Sequence, residues 1–598
     1  MSDSEVPPAT PLRQAEFTQN EGLRLLGESG LTYRDGGESQ VLQILKSSAD
    51  LSSTSDELVA KAGTWATRYH LDPARTNVLR SLELSSQDSV LEIGAGCGAL
   101  TRYLAERTRV VDAIEPMPER ARCARERTRD LVNVEVFVGL LEDVPLEPTY
   151  DVVVVVGVLE YVGRGSSDPM IYASFLQRAA GLLREGGTLV LGIENRLGVK
   201  YMVGAPEDHS GRQFEGVEGY DETSIARTFS RCELERFVTN TGLTATTFSV
   251  FPDYKMTRTV MHDELFDVRP TLAVTTPQFP SPDWNVAVLR LANEARVWRN
   301  LVEAGLGPDT ANSLLILGHR GEGPSPLWPT GTLMAYYSPH GRRSIFALES
   351  RIRRFDDGFE VVRRSILPGP HDSRLKLHTS PERFVDGRDL LEVIIDTDSI
   401  EGLGTVLTAW RDALDRAINE GVVPHADLLP HNAVQTSDSS IVFVDSKWDI
   451  AGYDREAVVQ RAALVLAQLL SVHTSASRWR AETLRDLAVE LGTLLGLAPG
   501  GEWLDGALTR EAGLQATLNT PGPSDADVNA QADRIEHVYR NEFERPLASF
   551  GGQSPTALID EIGRARQELR EVYATRLFRY AQYPRSLYAR LRARSSPS

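Results

Sequence analysis

The stretch VLEIGAGCGALTRYLAE, residues 90–106, constrains this chain more than any other. An apolar run ends in an acid, Glu92, glycines follow at 94, 96 and 98, and an amphipathic segment begins at once. Glycines so placed let the backbone turn sharply between a strand and a helix, and let a ligand lie against it. The surrounding sequence repeats the pattern. From Asp88 to about Lys255, SVLEIG, VVDAIE, VEVFVG, DVVVVVGV and GTLVLGIE are short, β-branched and bounded by turns. Helical stretches such as ALTRYLAERT and SFLQRAAGLLREGG lie between them. Fully apolar strands alternating with helices predict an α/β fold whose parallel sheet is covered on both faces.

The loop also selects its ligand. Its third glycine comes one residue early for the phosphate-cradling G-x-G-x-x-G, and no G-K-[ST] follows, which excludes a P-loop. The acid at its start suits an ammonium group better than a pyrophosphate. The next strand, RVVDAIE, ends in Glu115, where a carboxylate accepts both hydroxyls of a ribose. Ammonium at one end and ribose at the other describe S-adenosylmethionine. The pattern closely resembles that of class I S-adenosylmethionine-dependent methyltransferases. The resemblance implies a Rossmann-like domain that holds the cofactor with Glu92, Gly94, Gly96, Gly98 and Glu115. It places Leu140 and Leu141 of VGLLEDVPL at the adenine, where the family often has an Asp. Gly157 to Glu160 of DVVVVVGVLEYV fall near the methyl donor.

After the fifth strand comes IENRLGVKYMVGAPEDHSGRQFEGVEGY (193–220), and later FPDYK (251–255). Over about 88–315 these segments resemble methyltransferases of bacterial surface-polysaccharide pathways, implying a glycan or glycolipid precursor as acceptor. A sugar hydroxyl calls for a general base. His209 fits best, with Glu194, Glu207 and Asp208 as alternatives. A phosphate acceptor calls instead for positioning cations, for which Arg196, Lys200 and Arg212 are suited.

A second constellation lies in VVPHADLLPHNAVQTSDSSIVFVDSKWDI (422–450). Its H-x-D-x-x-x-x-N spacing resembles the catalytic loop of aminoglycoside and sugar kinases. That resemblance implies an α+β kinase-like domain with Asp427 as base, Asn432 and Asp445 as magnesium ligands, and Mg-ATP as a second cofactor. The sequence departs from the pattern in three places. No glycine-rich nucleotide loop precedes it, Arg363 and Arg364 stand where a lysine is expected, and DSKW replaces the usual motif. Phosphotransfer and a nonenzymatic binding role both remain open for this region. The domain order resembles that of bifunctional methyltransferase–kinases that terminate O-antigen chains.

The expected organisation is a loosely structured region over 1–70, a methyltransferase domain over 71–255 and a helical extension and linker over 256–334. A kinase-like domain follows over 335–522, then a helical tail over 523–598. The tail's end carries arginines at 576, 579, 585, 590, 592 and 594 and no acid from 574 onward. It suits peripheral contact with an anionic inner membrane face or docking on a glycosyltransferase. The net charge of −19 argues against a nucleic-acid partner. Cys97, Cys123 and Cys232 form neither a disulfide framework nor a zinc pattern, which fits a cytoplasmic protein. No signal-peptide core or membrane-length apolar run is evident. Two rival readings are a small-molecule methyltransferase of secondary metabolism, and a scaffold with a pseudokinase in a glycan assembly complex.

Overall fold

Valines 152–156 run unbroken through one strand, and the sheet explains why. Val152, Val154 and Val156 join one buried cluster with Val90 and Val190. Val153 and Val155 join another with Leu91, Ile93, Leu189 and Leu191. Successive side chains of a strand point to opposite faces, so a strand covered on both faces must be apolar at every position. The structure is a computed structural model. It describes residues 10–20, 22–27, 36–283, 290–356, 358–367, 375–377, 379–445, 448–450, 452–519, 525–551 and 567.

The strands used below are β1 (Thr18–Asn20), β2 (Leu23–Leu25), β3 (Ser89–Ile93), β4 (Val110–Glu115), β5 (Val134–Val138), β6 (Tyr150–Val156) and β7 (Leu183–Glu194). They continue with β8 (Thr244–Phe251), β9 (Thr259–His262), β10 (Ser313–His319), β11 (Thr332–Tyr337), β12 (Leu348–Phe355) and β13 (Gly358–Ser365). One sheet takes the order β1-β2-β5-β4-β3-β6-β7-β10-β8-β9-β11-β12-β13, with Glu382–Arg383 at its far edge. From β2 to β7 neighbours are parallel. β10 is antiparallel to both β7 and β8. The chain reverses its direction of progress between β3 and β6. That switch point opens a crevice beyond the carboxyl ends of β3, β4 and β6.

Three expected boundaries differ from what is observed. Residues 1–70 are not loose where described. β2 pairs with β5, and the helices Asp56–Lys61 and Trp65–Leu71 are capped by Ser55 and Thr64. The 256–334 segment is not a linker, because β10 inserts between β7 and β8 and is buried at all seven positions. Its short apolar run LLIL gave no period to distinguish strand from helix. Within the expected helical extension, a helix runs over Glu294–Glu303, started by the Asn293 side chain accepting from the Arg296 N–H. Residues 284–289 lie outside the described residues.

The chain does not part into two bodies at 335 either. Met334 of β11 pairs with Met261 of β9, so the second region shares the sheet of the first. Beyond it a separate helical core gathers around Trp410. Leu403, Leu407, Trp410 and Leu414 form the buried stripe of the helix Ile400–Asn419. The expected tail begins inside this core, since Phe543 and Leu547 are buried there. The basic end at 574–598 lies outside the described residues. Among the described residues no helix is long and apolar enough to cross a membrane.

Candidate functional site

A cavity of about 1390 Å³ lies over the switch point. Ligand pockets commonly span about 300–1,000 Å³, so this one has room for a cofactor and an acceptor together. Glu92, Gly94, Gly96, Glu115, Leu140, Leu141, Gly157, Asp208 and His209 all line it.

At the cofactor end the three loop glycines serve different purposes. Gly94 and Gly98 have φ of +83° and +84°, and a Cβ on them would lie 2.4 Å from Val158 Cγ2 and 2.6 Å from Ala124 Cα. These two let the turn pack against its neighbours. Gly96 faces open space. Its bare backbone is the floor on which a ligand can lie. Gly98 is therefore a packing residue rather than part of the cavity wall.

The two acids differ as well. Glu92 is 2% exposed, and its Oε2 has no hydrogen-bond partner among the described residues. Burial pushes its carboxyl up to about 8, with Thr101 and Arg75 pulling back only in part. A cationic ligand would relieve that cost. Glu115 is held in place by the N–H groups of Gly96 (2.8 Å) and Met117 (2.9 Å), which donate to its two oxygens. Burial raises its pKa, while Arg120 and the two N–H groups oppose the rise. The donors leave lone pairs for ribose hydroxyls.

The acceptor end is a network of buried charge. His209 Nδ1 lies 2.6 Å from Glu207 Oε1, and its Nε2 lies 3.8 Å from Glu160 Oε1. Glu207 Oε2 accepts the N–H groups of His209 and Ser210, so the turn itself fixes the carboxylate. Burial lowers the His209 pKa, but the bonds to Glu160 and Glu207 outweigh it and hold the imidazole well above its ordinary value. His209, expected as the general base, thus sits within a cluster of carboxylates that favours its protonated form.

Asp208 also changes role. Burial would raise its carboxyl, yet Lys200 (3.1 Å) and Lys255 (2.6 Å) hold it well below the usual range. So depressed a carboxylate is a poor base, and Asp208 serves to fix two lysines. Glu194 is fully buried behind the wall, 2.6 Å from Lys255, and burial raises its pKa. Glu160, Glu194 and His209 offer ligand atoms within 4.8 Å of one another, with Lys255 already on Glu194. Arg196 and Arg212 pair with Glu233 (3.2 Å) and Asp221 (2.5 Å).

Several wall residues escaped the sequence reading. Trp65 and Tyr69 come from the N-terminal region, four residues apart on one helix face. Arg75 donates to the Tyr254 carbonyl, and Tyr254 Oη donates to Glu160 at 3.3 Å. The WATRYHL pattern behind Thr64 was the available signal, but it reads equally as an ordinary capped helix.

The second constellation is arranged differently. Asp427 and Asn432 share a cavity of about 190 Å³. Asn432 Nδ2 donates to the Asp427 backbone carbonyl at 3.0 Å. Asp445 is not on that wall. Its Oδ1 takes Arg363 Nη2 at 2.6 Å and Tyr336 Oη at 3.3 Å. The same guanidinium reaches Glu382 at 2.9 Å, and the Arg363 side chain has no exposed surface.

Comparison with known proteins bears on the first region. Residues 91–189 match the methyltransferase domain family model. A probable ribosomal RNA small subunit methyltransferase A of Methanosarcina mazei is 38% identical over 80 residues, 13% of this chain and 30% of that protein. A ubiquinone biosynthesis O-methyltransferase of Xanthomonas campestris is 30% identical over 131 residues, 21% of this chain and 52% of that protein. The chain thus covers 30% and 52% of the lengths of these two curated relatives. A solved N-methyltransferase from Bradyrhizobium japonicum is 16% identical, with 42% of this chain and 94% of that chain covered and a TM-score of 0.25.

Proposed function

We propose that the S-adenosylmethionine-dependent methyltransferase domain of this chain methylates a hydroxyl of a glycan or glycolipid precursor. One observation carries the reading. A single cavity joins a buried Glu92, one of whose oxygens has no partner among the described residues, to the Glu160–His209–Glu207 cluster. Bound S-adenosylmethionine would supply a methyl group activated on a sulfonium. Glu92 would neutralise its ammonium, Glu115 would take its ribose hydroxyls, and the bare Gly96 backbone would let it lie close.

The acceptor end favours a hydroxyl over a phosphate. Lys200 is paired with Asp208, and Arg196 and Arg212, paired with Glu233 and Asp221, do not line the cavity. Carboxylates and the Tyr161 ring line the wall instead, and carboxylates accept hydrogen bonds from sugar hydroxyls. The hydroxyl oxygen would attack the methyl carbon while the bond to sulfur breaks, leaving its electron pair on sulfur. The hydroxyl proton would pass into the Glu160–His209–Glu207 cluster, with Glu207 holding the imidazole in place. In this reading the second region presents the acceptor and transfers no phosphate, because Arg363 occupies Asp445.

The test has two stages. Calorimetric titration with S-adenosylmethionine, beside Glu115→Ala, checks the cofactor end. Mass spectrometry of glycan acceptors then detects a gain of one methyl, which Glu207→Gln and His209→Ala should suppress. Cofactor binding with methyl transfer only to non-carbohydrate hydroxyls would sink the glycan assignment.

A further inference from the structure

We infer that the small cavity between the loop after β8 and the Asp427–Asn432 segment binds a phosphate-type oxyanion through Arg258 and Arg342. Both arginines line it, together with Ser338, Ser350, Asp427 and Asn432. Arg258 Nε, Arg342 Nε and Arg342 Nη1 are out of reach of solvent and meet no hydrogen-bond acceptor among the described residues. Arg258 Nη1 donates to a neutral partner, Gln278 Oε1, at 2.6 Å. Both arginines are half-buried. Guanidinium groups keep their charge, so burying these nitrogens without an acceptor is costly. Burial pushes Arg258 down to about 10. Burial and the charge of Arg258 do the same to Arg342, with Asp427 pulling the other way.

The local charge is unbalanced. Arg461 is closed on Glu511 at 2.7 Å. Among the described residues lining the cavity, two guanidiniums, Arg258 and Arg342, meet one carboxylate, Asp427. The cavity, at about 190 Å³, takes a tetrahedral oxyanion and is smaller than the roughly 300 Å³ that begins the usual range for larger ligands. Asp427 sharpens the choice of anion. Hydrogen phosphate offers oxygens to two guanidiniums and still carries an O–H to donate to a carboxylate. Sulfate at neutral pH carries none.

The site is placed to matter for methyl transfer. Arg258 follows Lys255 by three residues, and the intervening turn is tied down by Asp253, whose Oδ1 accepts the N–H groups of Lys255 and Met256. The inference stands apart from the glycan assignment, since it rests on residues outside the methyl-transfer cavity.

The test is thermal unfolding and calorimetry of the full chain with sodium phosphate, sodium sulfate and sodium chloride at matched ionic strength. Phosphate should raise the melting temperature, and sulfate should bind at least tenfold more weakly. Arg258→Gln and Arg342→Gln should each cut phosphate affinity at least tenfold. Asp427→Asn should narrow the gap between phosphate and sulfate. An unchanged S-adenosylmethionine titration shows that each variant is folded, and Arg342→Lys supplies a charge-retaining second variant. A glucose 1-phosphate arm separates sources. Tighter binding than inorganic phosphate assigns the site to a phosphorylated acceptor, and weaker binding assigns it to free phosphate. Equal shifts in phosphate and chloride, or folded glutamine variants that respond as the parent does, would overturn the inference.

Discussion

Glu92 and Asp445 each sit at the end of a recognisable motif, and they ended in opposite states. Glu92 is buried with an oxygen that nothing among the described residues satisfies. Asp445 is held by Arg363 and Tyr336, and Arg363 is held in turn by Glu382. The first carboxylate awaits a partner from outside, and the second has found its partners within. Spacing along the chain is similarly good at both places. What separates a ligand site from a self-satisfied one is whether the fold already answers the charge.

The sharpest way to break this contrast is at the cofactor end. Glu115→Ala should weaken S-adenosylmethionine binding by about 100-fold, the loss of charge-assisted hydrogen bonds worth roughly 3 kcal/mol. Titration calorimetry reads it directly. Mg-ATP in the same instrument should give no heat, and a magnesium-dependent signal would restore a working kinase-like site.

Next comes Arg363→Met. It leaves Asp445 and Glu382 without their cation and should cost about 2–3 kcal/mol. The value lies below that of a fully buried pair because both acids are partly exposed. Chemical denaturation measures it, and cofactor affinity should stay within twofold. A coupled loss of cofactor binding would show that the two regions, which share a sheet, also share their stability.

Glu92 gives a prediction of matching size in the other direction. Its folded value of about 8 lies above the ordinary 4.5, so the unfolded chain loses its proton first. Stability from this group is therefore full below pH 4.5 and is lost as pH rises toward 8. Glu92→Gln should stabilise the free protein at pH 8 by on the order of 2 kcal/mol while weakening cofactor binding. Melting curves at pH 6 and pH 8 separate the two effects. If the variant is less stable at both, Glu92 has a partner inside the fold and the contrast with Asp445 fails.

The smallest expected effect concerns pH. Protons held by the His209 cluster must be shed before it can accept another, so methyl transfer should climb on the alkaline side of neutrality. Glu207→Gln removes one group that raises the imidazole, and should move that limb to lower pH. A pH–rate profile that does not move would remove His209 from the proton path.

The cofactor end was legible because its constraints are local. Gly94, Gly96 and Gly98 follow a strand, Glu92 and Glu115 end two adjacent strands, and short-range sterics fix where these groups go. The unbroken valines of β6 announced a sheet covered on both sides for the same reason. The acceptor end was only partly legible. His209, Asp208 and Glu194 were found as residue types, but their protonation depends on neighbours far along the chain, as with Lys255 beside Asp208 and Glu194. The β10 insertion, the N-terminal wall of Trp65 and Tyr69, and the hold of Arg363 on Asp445 all join residues distant in sequence. The sequence by itself determined which strands, turns and charges exist. Tertiary structure decided which charges were answered, because burial and pairing are properties of neighbours in space rather than of spacing along the chain.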